Sequence, residues 1–504
     1  MSLETSTRAV WAFLAAAAAL YLGYHAAIGL GLDDTNHLET TLAMVVARQL
    51  HDGPSTLYGP VTGTMPLALI HAPLYYRLAA PGAWTLAALG FDPPTAGLYS
   101  GRALSMLGML ATMAGASHLA RLDGAPRRAG WWSALLLAAA PVFGSFPATV
   151  RPDTLAIAFQ TWGVALAWGW LRTPGSRPRT LLLAYAALGL AACTKQNFVV
   201  SAAITSAILL VQAFRGNARA RPIVAAHALG LGIVLGYYGR EEFVTGGAMS
   251  HAVFALPSAF GRVNGATWGH VATVFLEAAK ESIGLLALAF AAMIARAGRR
   301  AGAQLDAGLA GLLAGETAAM AFLSHGSTGS WVNYAMPPVL YAAILVGRAL
   351  DRALAAGRPA WRIAPILAAC LLLVLADGRY VAISARSRME ERARLRVMFA
   401  DPRVSQQGPE ARYFVARPQY NRLYGRPDLI HDDWLYGAFE AQSAAEPRSN
   451  WLRWALVSGP VRQVIVGLER NRDPNFVEGL ADPLERLGYR QIAHFDGYDV
   501  WERQ

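Results

Sequence analysis

Four polar stretches carry the residue types that could do chemistry in this chain. Asp33 and Asp34 are adjacent carboxylates, followed by Thr35, Asn36, His37 and Glu39. A carboxylate there could act as a general base, accept a hydrogen bond from an acceptor hydroxyl or ligate a metal; the pair could equally be a helix end meeting water. Arg151-Pro152-Asp153 sets a cation beside an acid. An acid at a helix N-terminus is favoured by capping and by the helix dipole, which accounts for Asp153 but not for Arg151. Thr194-Lys195-Gln196-Asn197 contains one of only two lysines, the other being Lys280. Lys195 could snorkel to an interface or hold a phosphate as a point charge. The fourth stretch runs from His325 to Tyr334, rich in Gly and Ser and ending in Asn333-Tyr334, where backbone N–H groups are free to approach a ligand.

The elements that must position these groups are membrane helices. Of 504 residues, 54% are apolar and 15% charged, against roughly 25% charged in a soluble domain. The apolar residues fall in long runs, near 9–31, 98–120, 131–149, 154–171, 181–195, 197–214, 222–239, 271–295, 305–324, 334–350 and 361–376. About eleven such runs, each near the ~20 residues that cross a bilayer, predict an α-helical polytopic membrane protein. The first run is read as a retained span rather than a signal peptide, because it exceeds a usual signal core and further spans follow.

Charge orients the spans. With the N-terminus in the cytoplasm, the inside segments hold seventeen basic residues, all arginine, and the outside segments eight. The inside set recurs at every turn: Arg8; Arg121, Arg127 and Arg128; Arg172, Arg177 and Arg179; Arg215, Arg219 and Arg221; Arg296, Arg299 and Arg300; Arg348, Arg352, Arg358 and Arg362. This is the positive-inside pattern of a bacterial inner-membrane protein. The net charge of +11 is therefore a topology signal, and it excludes nucleic acid as the implied partner in favour of the lipid bilayer. All four polar stretches then face outward. A stretch with Leu38, Leu42, Val45, Val46 and Leu50 at helical spacing follows the acidic pair, as expected of a helix along the outer interface. Glu316 is the one clear acid inside a span, whereas a transporter concentrates polar groups near the midplane. Cys193 and Cys370 lie in separate spans with no metal-ligand spacing.

Residues 1–376 thus form a membrane module, with 32–97 as its first outer loop, and residues 377–504 a separate domain. That last part holds 19 of the 44 basic and 18 of the 33 acidic residues. Strands are expected at Ala411–Ala416, Gln463–Leu468, Tyr489–His494 and Tyr498–Trp501, and helices at Arg386–Phe399, Ser449–Val457 and Asn475–Leu487. It reads as a small α/β domain, periplasmic because the span count is odd.

The acidic pair after the first span, the outer loop running to Pro73-Leu74-Tyr75-Tyr76, Arg151-Pro152-Asp153, Thr194-Lys195-Gln196 and the late Asn333-Tyr334 occur in the order found in one superfamily. The chain resembles a GT-C glycosyltransferase, in the branch of protein O-mannosyltransferases and lipid A aminoarabinose transferases. The resemblance implies transfer, with inversion, of a sugar from a polyprenyl-phosphate donor to a lipid, glycan or protein acceptor. It implies a base at Asp33 or Asp34 (the family pair is usually Asp-Glu), with Asp153 as the second acid. Arg151 and Lys195 would face the donor phosphate, and Gln196, His37, Tyr75, Tyr76, Asn333 and Tyr334 would complete the substrate-binding set. Some relatives hold a divalent metal here, for which His37 and Glu39 are the available ligands; no metal site is predicted. The competing readings are a transporter or flippase of lipid-linked intermediates and a non-catalytic envelope sensor.

The topology has a direct check. Alkaline phosphatase fused after Gly326 or Gln504 should be active, and fused after Arg300 inactive; the reverse result would invert the orientation.

Overall fold

The computed structural model of the protein describes chiefly residues 71–140, 149–255, 303–326, 332–355, 396–405, 412–415, 461–467 and 483–504, with scattered positions between 8 and 69. Nine long helices are present among the described residues. These are α1 Leu74–Ala88, α2 Pro93–Ala120, α3 Arg127–Ala139, α4 Asp153–Arg172, α5 Pro178–Thr194, α6 Val200–Phe214, α7 Ala220–Val244, α8 Ala303–Gly326 and α9 Met336–Ala355. Five of the described helices are long and apolar enough to cross a membrane: those ending α2, α4, α6, α7 and α8. The expected spans at 9–31, 271–295 and 361–376 fall wholly or mostly outside the described residues.

Local sequence explains the boundaries. Asp92 caps α2 by accepting from the Thr95 amide at 3.0 Å. The span expected over 131–149 is interrupted, because Ala140 is extended (φ −75°, ψ 121°) ahead of Pro141. A residue before proline is driven out of the α region by its ring. α9 begins Met336-Pro337-Pro338, where prolines cost nothing because first-turn amides have no helical acceptor. A 3₁₀ turn, Val332–Ala335, leads into it, and another, Gln196–Val199, leads into α6.

Two apolar clusters organise the membrane part. The larger joins α2 to α6, α8 and α9 around Trp132, Trp168, Leu188, Leu312 and Tyr341. The smaller gathers Val45, Val46, Leu57, Tyr75, Tyr76, Leu98, Val150 and Val253. Val45 and Val46, in the stretch expected to lie along the outer interface, are buried against protein. Glu316 has company as well: Glu241 on α7 and Asp306 on α8 are buried acids within candidate spans. Glu241 accepts from Arg77 on α1, whose Nη1 also donates to Gln49 Oε1 at 2.8 Å. In the C-terminal part, strands β1 Arg412–Val415, β2 Val461–Gly467, β3 Tyr489–Phe495 and β4 Tyr498–Arg503 form one sheet in the order β1-β2-β4-β3. β1 and β2 are parallel and the other pairs antiparallel. Met398, Val404, Ile465, Tyr498 and Val500 make its core. The expected helix Asn475–Leu487 is described only at its end, as a 3₁₀ turn over Leu484–Leu487 closed by Gly488 at φ 84°.

α2 meets the first turn of α4 nearly backbone to backbone: a Cβ on Gly108 would lie 2.7 Å from the carbonyl carbon of Thr154. Gly108→Val is expected to cost about 1–3 kcal/mol by overpacking this contact. A lowered unfolding midpoint in detergent, with Gly232→Val (open space at its Cβ) unchanged, is the check.

Candidate functional site

Three chain segments deliver the polar groups to one place. Asp153 is the first residue of α4, Lys195 follows the last residue of α5, and Asn333 and Tyr334 sit in the turn before α9. Asp153 is 1% exposed and Lys195 4%. The Lys195 ammonium donates to Asp153 Oδ1, and the Asn333 amide donates to the same oxygen at 2.9 Å. Lys195 Nζ also lies 5.5 Å from the centre of the Tyr334 ring, within cation–π range.

This corrects two bland expectations. Asp153 makes no capping hydrogen bond; Pro152 occupies the cap position and the carboxylate turns inward to Lys195. Lys195 does not snorkel outward, since it is buried and paired. Among the described residues the buried Asp153 Oδ2 has no hydrogen-bond partner, and the same holds for the Tyr76 hydroxyl. Burial holds the Tyr76 phenol well above its ordinary range, with Tyr75 adding to the effect, so it is a neutral donor. The charges of Asp153 and Arg151 both reach it.

The other expected residues divide. Gln196 Oε1 accepts from the Ala72 amide at 3.2 Å and so ties the loop before α1 to the turn before α6. The Tyr75 hydroxyl donates to the Gly101 carbonyl at 2.6 Å and lies 2.8 Å from Ser105 Oγ, which bonds the Arg151 carbonyl at 3.1 Å. Tyr75 therefore braces the backbone that carries Arg151. Asp33, Asp34, His37 and Glu39 lie outside the described residues, as does most of the turn after His325. His71 is a neighbour that sequence reasoning did not single out. Burial and the nearby Lys195 push it down to about 3, so its ring is neutral at physiological pH. The Tyr58 hydroxyl fixes its carbonyl at 2.8 Å. The only sequence signal for His71 was its place two residues before Pro73.

Among these described groups, Arg151 and Lys195 oppose the single charge of Asp153. Among the described residues the site offers two cationic side chains, a carboxylate oxygen without a hydrogen-bond partner and a phenol donor. That set can receive an anion together with a neighbouring hydroxyl. Among the described residues no group of three His, Cys, Asp or Glu side chains could hold a metal.

No family model matches this sequence, and no curated protein matches it significantly. Solved structures do. ArnT from Cupriavidus metallidurans bound to undecaprenyl phosphate superposes with a TM-score of 0.55 at 17% identity, over 98% of each chain. Its apo form gives 0.57 at 18% identity, over 99% of this chain and 98% of that one. The archaeal oligosaccharyltransferase AglB from Archaeoglobus fulgidus, in complex with an inhibitory peptide and a dolichol-phosphate, gives 0.54 at 12% identity, over 91% of this chain and 69% of that one. The protein has a GT-C glycosyltransferase fold. Within this GT-C fold, the groups described above gather at one end of the bundle. The opposite end gathers Asp123 with Arg172 and Arg348, Asp306 with Arg348 and Arg352, and Asp351 with Arg128.

Breaking a buried ion pair by removing one partner strands the other charge, at about 3–5 kcal/mol. Lys195→Met and Asp153→Leu should each lower the unfolding midpoint in detergent, and the double variant should recover much of the loss. A double variant as unstable as the sum of the two would show that the pair is not coupled.

Proposed function

We propose that the protein is a membrane glycosyltransferase, moving a sugar from a polyprenyl-phosphate donor to an acceptor on the outer face of the bacterial inner membrane, with inversion. The observation that carries the reading is the buried Asp153–Lys195 pair with Arg151 two residues before Asp153, its Asp153 Oδ2 without a partner among the described residues, in a fold whose solved examples include one bound to undecaprenyl phosphate. In this reading Asp33 or Asp34 takes the proton from the acceptor hydroxyl. The oxygen attacks the anomeric carbon from the face opposite the phosphate, the carbon–oxygen bond to phosphate breaks, and polyprenyl phosphate leaves as an anion. Lys195 and Arg151 stabilise the charge growing on that leaving group, which needs cations more than a proton donor. Asp153 holds Lys195 in place through one oxygen and offers the other to a sugar or acceptor hydroxyl. Tyr76, His71 and Tyr334 supply neutral walls around it.

The membrane frame belongs to the same proposal: eleven spans over residues 1–376, a cytoplasmic N-terminus, and residues 377–504 as a periplasmic domain on the side of the site. The gathering of arginine-rich helix ends opposite the site supports that orientation, since positive-inside turns share one face.

The test is transfer from a polyprenyl-phosphate sugar by purified protein. Asp34→Asn and Asp153→Asn are expected to lower kcat by about a hundredfold or more, in the range set by loss of a general base or a charge-holding group. Lys195→Ala should weaken use of the donor more than of the acceptor. Full activity in both aspartate variants, with normal folding, would sink the assignment; movement of intact lipid-linked sugar across vesicles without a new glycosidic bond would replace it with a transporter.

A further inference from the structure

About two helical turns below the site, a second polar group crosses the bundle interior. Gln160 Nε2 lies 3.3 Å from the Tyr341 hydroxyl, that hydroxyl lies 2.7 Å from Ser201 Oγ, and Ser201 Oγ donates to Glu316 Oε1. All four side chains are buried. The protons fix the direction. Ser201 has one hydrogen and gives it to Glu316, so Tyr341 must donate to Ser201, and Tyr341 in turn accepts from the Gln160 amide. The result is a single donor-to-acceptor chain ending on a carboxyl oxygen.

Its members are in register with the site. Gln160 is seven residues beyond Asp153 on α4, Ser201 six beyond Lys195 on α6, and Tyr341 eight beyond Asn333 on α9. At a rise of ~1.5 Å per residue, each lies roughly 10 Å below the site residue borne by the same segment. Glu316 reaches the chain from α8 because α6 and α8 meet closely there: a Cβ on Gly315 would lie 2.3 Å from Ile204 Cδ1. The same three segments thus meet twice, once at Asp153–Lys195–Asn333 and once at Gln160–Ser201–Tyr341.

We infer that Gln160, Tyr341, Ser201 and Glu316 are positioning residues: their hydrogen-bonded chain sets the relative height and rotation of α4, α6 and α9, and so the geometry of the Asp153–Lys195–Asn333 group above. None of them touches the site residues through a hydrogen bond of its own. They act because a helix is stiff over two turns, and because a misplacement of about 1 Å costs a reaction up to ~100-fold. Between membrane helices the apolar surfaces are matched by lipid, so hydrogen bonds of this kind and small-residue contacts choose the packing. The functional consequence rests on the proposed transferase reading; the geometric one does not.

Tyr341→Phe keeps the ring and removes the middle of the chain. Expected are a kcat lower by about tenfold, a donor KM within about twofold, and faster amide exchange in the turns Gln196–Val199 and Val332–Ala335, with exchange in α2 unchanged. Glu316→Gln, whose amide oxygen still accepts from Ser201, should stay near wild type, whereas Glu316→Leu should behave like Tyr341→Phe. Ser201→Ala breaks the same chain should Tyr341→Phe fail to fold. Unchanged exchange at both turns, or an unchanged kcat in an enzyme that does transfer sugar, overturns the inference. A wild-type protein that transfers no sugar refutes the transferase reading instead, and exchange at the two turns still decides the positioning.

Discussion

Lys195 and Asp153 are both out of water, and removing a charge from water costs several kcal/mol per ion, so such a pair persists only where each finds its partners. Here the partners come from far apart in sequence. Asp153 opens one helix, Lys195 stands between two others, and Asn333, which shares the carboxylate, belongs to a third segment. The ring of Tyr334 covers the ammonium. For the pair to exist, three helix ends must meet, and their meeting defines the floor of the site. Arg77 with Glu241 repeats the principle at the edge, tying α1 and Gln49 to α7. Both cations break the rule that outward segments are poor in basic residues, and both are explained by a buried acid.

The bundle is held by polar contacts at three levels. The Asp153 group stands at one end, the chain from Gln160 to Glu316 crosses the interior, and Arg348 binds Asp306 and the Ala120 carbonyl at the other end. Apolar packing fills the space between but does not fix which face meets which, since leucine against leucine differs little from leucine against lipid tail. Glycines allow the closest crossings, as at Gly108 and Gly315.

Much of the membrane architecture was legible in the chain because a helix in lipid must satisfy its backbone internally. The runs at 154–171, 181–195, 197–214, 222–239 and 305–324 correspond to α4 through α8 within a few residues. The run over 131–149 is interrupted, because one proline outweighs an apolar stretch at Ala140. All four expected strands, at 411, 463, 489 and 498, recur with small shifts, since alternation marks a strand but not its ends. Mixed sheet order was invisible, being set by which strands pair.

Composition and charge alone determined that this is a helical membrane protein whose short polar motifs fall at helix ends. Those properties are local: each span and each arginine-rich turn reports its own environment. The short motifs also named Asp153, Lys195 and Asn333 as residues of interest. What they could not say is that Lys195 spends its charge on Asp153, that Tyr75 braces a backbone while the Tyr76 hydroxyl stays open, or that His71 joins them. Nor could they show that Glu316 ends a hydrogen-bonded chain beneath the site. Those facts depend on groups 26 to 180 positions apart meeting at hydrogen-bond distance. Only the packing of the helices decides which buried polar group finds which partner.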